Sequence, residues 1–431
     1  MDNKKFNRRN FLGAATALGI TLPLNSFSAT DIQVENPFDE PKRPNINLND
    51  VSEAGVIVST HPKRGHFRTA DFKSDVEAVQ YAYDQMMTNR DLPKTLILDS
   101  SFRPFEFDGY LDIWQSKCRI TATGGTTIVP KPGYKGPVIQ STIRDETEVG
   151  EDKLISNVIM DNIWIDGKDE CMGIRLRHLQ MSTIHDIHVR STDGPGLWIS
   201  DCVIENLFSN LIISDNCGSE EYPALLIEPE WIEISRKTNG FGNPTINSTQ
   251  FSGIMIHFPT NDALRISAGP VPIRSDRRQR KMQFVGCFFH GHPRQTKPLV
   301  TLSDAFENTF IGTQMIMWKD EGVVIQIGEH GAQHPAGITM ISHCIICSKP
   351  DSNVTGIKVV NVDTEKPSLI LFGNAFGTSY KWLAHAVDWG NQKGKLASWG
   401  ANSVSTSKEP HIGILPENAD ITPFKKDLPK T

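Results

Sequence analysis

The sequence lacks the basic excess that a nucleic-acid partner would require: 44 Lys and Arg stand against 50 Asp and Glu, for a net charge of −6. It has no phosphate-cradling glycine loop, no zinc-ligand spacing and no nucleophile elbow, so no cofactor and no metal is expected. Its cysteines do not make an even set. Cys118, Cys171, Cys202, Cys217, Cys287, Cys344 and Cys347 number seven, and most sit beside apolar residues, as in GCFF and SHCIIC. An odd number in an exported chain argues against a complete disulfide framework and for buried, inert thiols. The CIIC pair has redox-like spacing, but in a strand its cysteines point to opposite faces. What remains, 38% apolar and 22% charged, is the composition of a soluble globular chain.

The first thirty residues are of another kind. Lys4, Lys5, Arg8 and Arg9 precede an apolar run from Phe11 to about Leu24, and Ser26 and Ser28 put small residues where a signal peptidase cuts. The run is short and rich in Gly, Ala and Thr, so residues 1–28 read as a cleaved signal that leaves no stable membrane span. NRRNFL resembles a twin-arginine (Tat) signal, which implies that the Tat export machinery reads residues 8–12 and that the mature protein is periplasmic. An ordinary Sec signal with adjacent arginines is the alternative. Tat carries folded proteins, and burying several free thiols before meeting an oxidising periplasm is one physical reason to use it.

From residue 155 onward one pattern recurs: apolar, any, Asn/Asp/Gly, then alternating apolar residues. It reads MDNIWI at 160, IHDIHV at 184, FSNLII at 208, FSGIMI at 251, FVGCFF at 284, FIGTQM at 310, ISHCII at 341 and LFGNAF at 371. The intervals are 24, 24, 43, 33, 26, 31 and 30 residues. Between the copies lies a second strand signal: GIRLR, GLWIS, ALLIE, ALRIS, LVTLS, VVIQI and GIKVV. A repeat of two or three short strands without a helix is a solenoid rung. The leucine-rich alternative lacks its consensus, and a propeller lacks its longer period. The fold predicted is all-β: a single-stranded right-handed parallel β-helix, with Ile163, Ile187, Leu211 and Ile254 on one side of the chain.

Solenoids need capped ends. DFKSDVEAVQYAYDQMM carries Phe72, Val76, Val79, Tyr83 and Met86 at helical spacing and supplies an N-terminal capping helix. KTLILD and RITATGGTTIVP follow as the first rungs. Helix, strand and then the TATGGTTIVP turn and strand resemble the entry to pectate-lyase-3-like β-helix domains. The predicted organisation is a signal over 1–28, an extension over 29–69, the capped β-helix over 70–377, and a C-terminal cover and tail over 378–431.

Departures from the minimal period mark loops. The two largest are consecutive and leave the same strand of adjacent rungs: PEWIEISRKTNGFGNP after ALLIE, and AGPVPIRSDRRQRK after ALRIS. EHGAQHPAG leaves that edge two rungs later. Trp231 suits the C–H face of a sugar ring. Arg274, Arg277, Arg278 and Arg280 suit the carboxylates of an acidic polysaccharide. Glu228 and Glu230 are candidate acid and base for glycoside cleavage, with His292 of the HGH turn as a proton-transfer group. The same residues also suit a solvated loop paired through Asp276, rung packing by Trp231, and a solvated glutamate edge. His185 and His188 differ in parity and do not form one metal site. STDG at 191 is not followed by the paired aspartates of polygalacturonase-like β-helices; DCVIEN stands there instead.

The export signal with a lone β-helix resembles the pectate-lyase-like proteins of exopolysaccharide biosynthesis clusters, of the amylovoran and colanic-acid type. That resemblance implies modification, processing or chain-length adjustment of newly made acidic polysaccharide, and supplies no catalytic residues. A catabolic lyase or hydrolase and a non-catalytic glycan-binding assembly protein remain as alternatives, so whether the protein is an enzyme stays open. Replacing Arg8 and Arg9 by Lys is predicted to leave uncleaved precursor in the cytoplasm. Normal export of the double variant, measured by fractionation, would assign the signal to Sec.

Overall fold

The computed structural model describes residues 51, 54–143, 154–230, 246–269, 279–332, 334–350, 352–362, 367–377, 383–390 and 395–408. Strands of two to seven residues assemble into four parallel sheets, here A to D, of thirteen, eleven, ten and four strands. The chain visits them in turn. In one rung, Ile159–Asp161 lies in A, Trp164–Asp166 in B, Met172–Leu176 in C and Leu179–Gln180 in D, and Thr183–His185 then pairs with Ile159–Asp161 in register. This is a right-handed parallel β-helix, the hand that parallel crossovers prefer. Each recurring motif of the sequence spans the A–B corner, and each intervening strand signal lies in sheet C.

The corner explains the motif. Its third residue holds a left-handed backbone in every copy: Asn162, Asp186, Asn210, Gly253, Gly286, Gly312, His343 and Gly373, with φ between 51° and 67°. Gly adopts that conformation at no steric cost, and Asn, Asp and His tolerate it better than other residues. The residue before the corner in the motif's first position points inward. Phe208, Phe251, Phe284 and Phe310 therefore stack through the core with ring centroids 5.1, 4.7 and 4.8 Å apart and interplanar angles of 13°, 8° and 9°. Ile163, Ile187, Leu211 and Ile254 are buried as the alternation requires.

The sequence understates the ladder at both ends. Val56–Ser59 already pairs with Thr95–Asp99, ahead of the helix, so the ladder begins before residue 70. His385–Asp388, Lys395–Gly400 and Ser403–Val404 add a further turn beyond residue 377, where a cover was expected. Sheet D was also unforeseen, because its strands are two residues long and carry no periodicity.

The predicted cap is the helix Asp75–Thr88, the only α-helix among the described residues. Ser74 caps it by accepting the Glu77 N–H. Val79, Tyr83 and Met86 are fully buried, while Phe72 and Val76 pack at the edge of the core. Asp75 pins the helix to the first rung: it takes both terminal nitrogens of Arg103, at 2.5 and 2.8 Å, and the Glu106 N–H at 2.8 Å.

All seven cysteines are buried, and no disulfide links them. Burial pushes the thiol of Cys171 up to about 12 and those of Cys118, Cys217, Cys287, Cys344 and Cys347 up to about 11, so thiolate is scarce at neutral pH. Thiol labelling of the native protein should be slow, and denaturation should expose all seven. Fewer than seven reactive thiols after denaturation would mean that disulfides form in the mature protein.

Candidate functional site

Along sheet C a column of side chains lies on the face away from the core, and Gln140, Trp198 and Leu226 within it are themselves buried. Register places Gln140, Arg175, Trp198, Leu226 and Arg265 in one outward column. Where the strands leave the sheet, a second column follows with Arg177, Ser200, Glu228 and Ser267, each one position past its paired strand residues. The two long insertions start from this second column, and their roots touch. Ser267 Oγ hydrogen-bonds Glu228 Oε2. A methyl group on Gly269 would meet the Pro229 carbonyl oxygen at 2.4 Å. The expectation that both insertions leave one edge holds at these roots.

At the root of the first insertion Glu230 turns back along the cylinder. The Glu230 N–H donates to Asp201 Oδ1 at 2.9 Å. The Glu230 carboxylate then reaches Arg175 at 3.1 Å and Arg177 at 3.4 Å. Arg175 also donates to Gln140 Oε1 at 2.8 Å, and its guanidinium carbon lies 5.6 Å from the centre of the Trp198 ring. Trp198 in turn donates to the Glu228 carbonyl at 3.0 Å. Two guanidiniums, an indole and a carboxylate are thus locked together at the loop edge. Among the described residues the Nε of both arginines has no hydrogen-bond partner.

Electrostatics give these groups different parts. Burial, then the neighbouring Arg177, pushes Arg175 below the usual guanidinium range, and Glu230 only partly offsets them. Such an arginine gains from any further carboxylate. Burial raises the Glu228 carboxyl above its ordinary value, against the Ser267 hydrogen bond and the positive charge of Arg265. Glu228 therefore holds its proton more readily than an exposed glutamate. Beneath them His178 is fully buried and pushed down to about 4, first by burial and then by Arg177, so it is neutral at neutral pH.

The structure divides the residues singled out from sequence. Glu228 and Glu230 share one insertion root but turn to different partners, Glu228 to Ser267 and Glu230 to Arg175 and Arg177. His292 does not join them: it follows the sheet B strand Phe288–His290, at the corner where the chain enters sheet C, whereas the glutamates sit where the chain leaves sheet C. The strand between them separates the proposed acid and base from that imidazole, which packs near Phe258 instead, with centroids 6.3 Å apart. Arg280 is also not a free loop arginine. Its backbone bridges Asn247 and Phe306 as a continuation of the sheet D ladder, and its side chain is half-buried. Trp231, Arg274, Arg277 and Arg278 lie outside the described residues, as do Arg8 and Arg9. No group of three or more metal-ligating side chains occurs among the described residues. Arg175 and Arg177 were missed in the sequence, although their i, i+2 spacing in GIRLR already puts both on one face of an apolar strand.

Changing either glutamate should have opposite effects. Glu230→Gln removes the charge that bridges two desolvated guanidiniums and should destabilise by about 1–3 kcal/mol. Glu228 has a raised folded-state pKa, so its contribution is present at low pH and lost as pH rises through that value. Glu228→Gln should therefore be more favourable relative to wild type at pH 7 than at pH 4. Thermal unfolding of both variants at both pH values checks this; equal effects would contradict the assigned roles.

No family model matches the chain, and no curated protein matches it. Several solved structures share the fold. ORF18 of Geobacillus virus E2 superposes with a TM-score of 0.55 and 13% identity, over 81% of this chain and 59% of its own. The Streptococcus pneumoniae surface protein and adhesin PfbA gives 0.51 and 10%, over 78% and 94%. An alginate lyase from Paenibacillus gives 0.50 and 11%, over 76% and 97%. This chain thus spans well under two thirds of the viral protein. At these identities the likeness is one of fold.

Proposed function

We propose that this protein binds and processes an acidic polysaccharide along the outer face and loop edge of sheet C, as an exported, periplasmic component of exopolysaccharide production. The observation that carries the reading is the Arg175–Arg177 pair, held side by side next to Trp198 where the longest insertions leave the ladder. Planar guanidiniums fixed in this way recognise carboxylates in bidentate fashion and with geometric selectivity. Glu228, raised by burial, is the group suited to donate a proton to a glycosidic oxygen, whereas Glu230 is occupied in holding the arginines. In this proposal Trp231, Arg274, Arg277 and Arg278 extend the path, since their segments continue directly from the touching roots at Pro229 and Gly269. The alginate lyase of the same fold is in keeping with chemistry on such a polymer, and the adhesin with binding alone.

The test is binding and turnover of a purified uronate-containing exopolysaccharide by the mature protein. Retention on the immobilised acidic polymer should weaken as salt rises. It should fall with Arg175→Gln and Arg177→Gln far more than any retention on a neutral polymer. A shift in chain length that is lost in Glu228→Gln marks an enzyme. Binding without such a shift assigns the site to a non-catalytic glycan-binding protein. Equal retention of acidic and neutral polymers, or retention indifferent to both arginines, overturns the reading.

A further inference from the structure

At the corner between sheets A and B, at the N-terminal end of the cylinder, a cleft of about 480 Å³ opens between the turns 99–104 and 123–127. That volume lies within the range of small-ligand sites. Phe102 lines it, and Trp164 lies just outside that lining, against the Gly125 turn. Phe102 is 64% exposed and leans edge-on against His61, with centroids 5.9 Å apart. Trp164 is 50% exposed. Trp164 is the register partner of Thr127, which lines the cleft, and a methyl group on Gly125 would touch its indole at 3.8 Å. The indole thus lies against the glycine turn that forms one wall.

The floor of the cleft is hydroxyl and carboxylate. Asp99 is fixed by Ser59 at 2.7 Å and by the N–H and hydroxyl of Ser101, both at 3.1 Å. The Ser100 hydroxyl accepts the Thr127 N–H at 3.2 Å and keeps its own proton for another partner. The positive charge at the rim is already used, because Arg103 is committed to Asp75 through both terminal nitrogens. Asp99 is left as the anionic group of the cleft, which disfavours an acidic ligand.

We infer that this cleft is a second carbohydrate subsite, taking a neutral, hydroxyl-rich oligosaccharide on Phe102 and along the glycine turn that Trp164 flanks, with Asp99 and Ser100 hydrogen-bonding its hydroxyls. Sugar rings present an apolar C–H face to an aromatic ring and a polar rim to such a floor. The subsite does not rest on the sheet C reading, and its charge preference is the opposite one.

The experiment is titration of the full-length mature protein with cellohexaose, maltohexaose and a galactohexaose, followed by calorimetry and saturation-transfer NMR. At least one should bind, with little sensitivity to salt. Phe102→Ala and Trp164→Ala should each weaken that binding by about tenfold, and Asp99→Asn should weaken it too. Both rings are exposed, so these two variants should keep the wild-type melting temperature. Arg175→Gln should leave neutral-sugar binding unchanged, which separates failure here from failure of the acidic site. Binding by none of the three oligosaccharides, or binding unaltered in both aromatic variants, overturns the inference.

Discussion

No rung of this protein can stand alone. Each strand satisfies its backbone through the strands one rung above and below, and each inward side chain is covered by its own counterpart in those rungs. The constraint that makes this possible is the left-handed corner between sheets A and B. From Asn162 onward a single residue there turns the chain without adding length, so the strands on either side arrive in the same register from rung to rung. Once register is fixed, like residues stack on like. The phenylalanine column repeats at the rung spacing of about 4.8 Å because nothing permits it to slip.

The same constraint decides where function can be placed. Inward columns are committed to packing, and from Ile159 onward the A–B corner carries no insertion. Variation is left to the outward columns and to the corners where the chain enters and leaves sheet C. The arginine pair uses both freedoms: Arg175 is an outward residue, and Glu230 is the base of an insertion that folds back onto it. The cleft at the other corner has a different origin. It exists because the first rungs are still forming around the cap, with Asp75 drawing Arg103 toward the helix and the turn at Gly124–Gly125 leaving space beside Trp164.

What the sequence disclosed follows from which features are periodic. The corner motif, the sheet C strands and the capping helix all carry a repeating or helical pattern, and all three were legible. The A–B corner could be read because Asn, Asp and Gly mark it. The corner before six successive sheet A strands, from Ile159–Asp161 to Asn308–Ile311, is also left-handed, at Asn157, Met181, Glu205, Ser248, Lys281 and Glu307, yet most of these residue types carry no such signal. Sheet D, which adjoins that corner, was invisible for the same reason. In the site, Glu228 and Glu230 were found through the insertions that follow them. His292 was misplaced because closeness in chain order to an insertion says nothing about which end of a sheet C strand a corner occupies. Arg175 and Arg177 were overlooked because they lie in a regular rung, where attention went to the apolar residues that define the strand.

One rung joins the two sites. Trp164 and Arg175 belong to the same turn of the helix, eleven residues apart in sequence, and their register partners Thr127 and Gln140 belong to the turn before. The cleft lies at the A–B corner and the arginine pair on sheet C, so the two occupy different faces of the ladder. Their physical bases differ. Guanidinium–carboxylate pairing is long-ranged and screened by salt, whereas stacking on Trp164 and Phe102 is short-ranged and indifferent to it. A polymer with both charged and neutral sugars could be held by either at separate segments, but no single short stretch of it could satisfy both. If one polymer were to engage both proposed sites, it would have to pass from the A–B corner to sheet C, and shorter chains would engage one face only.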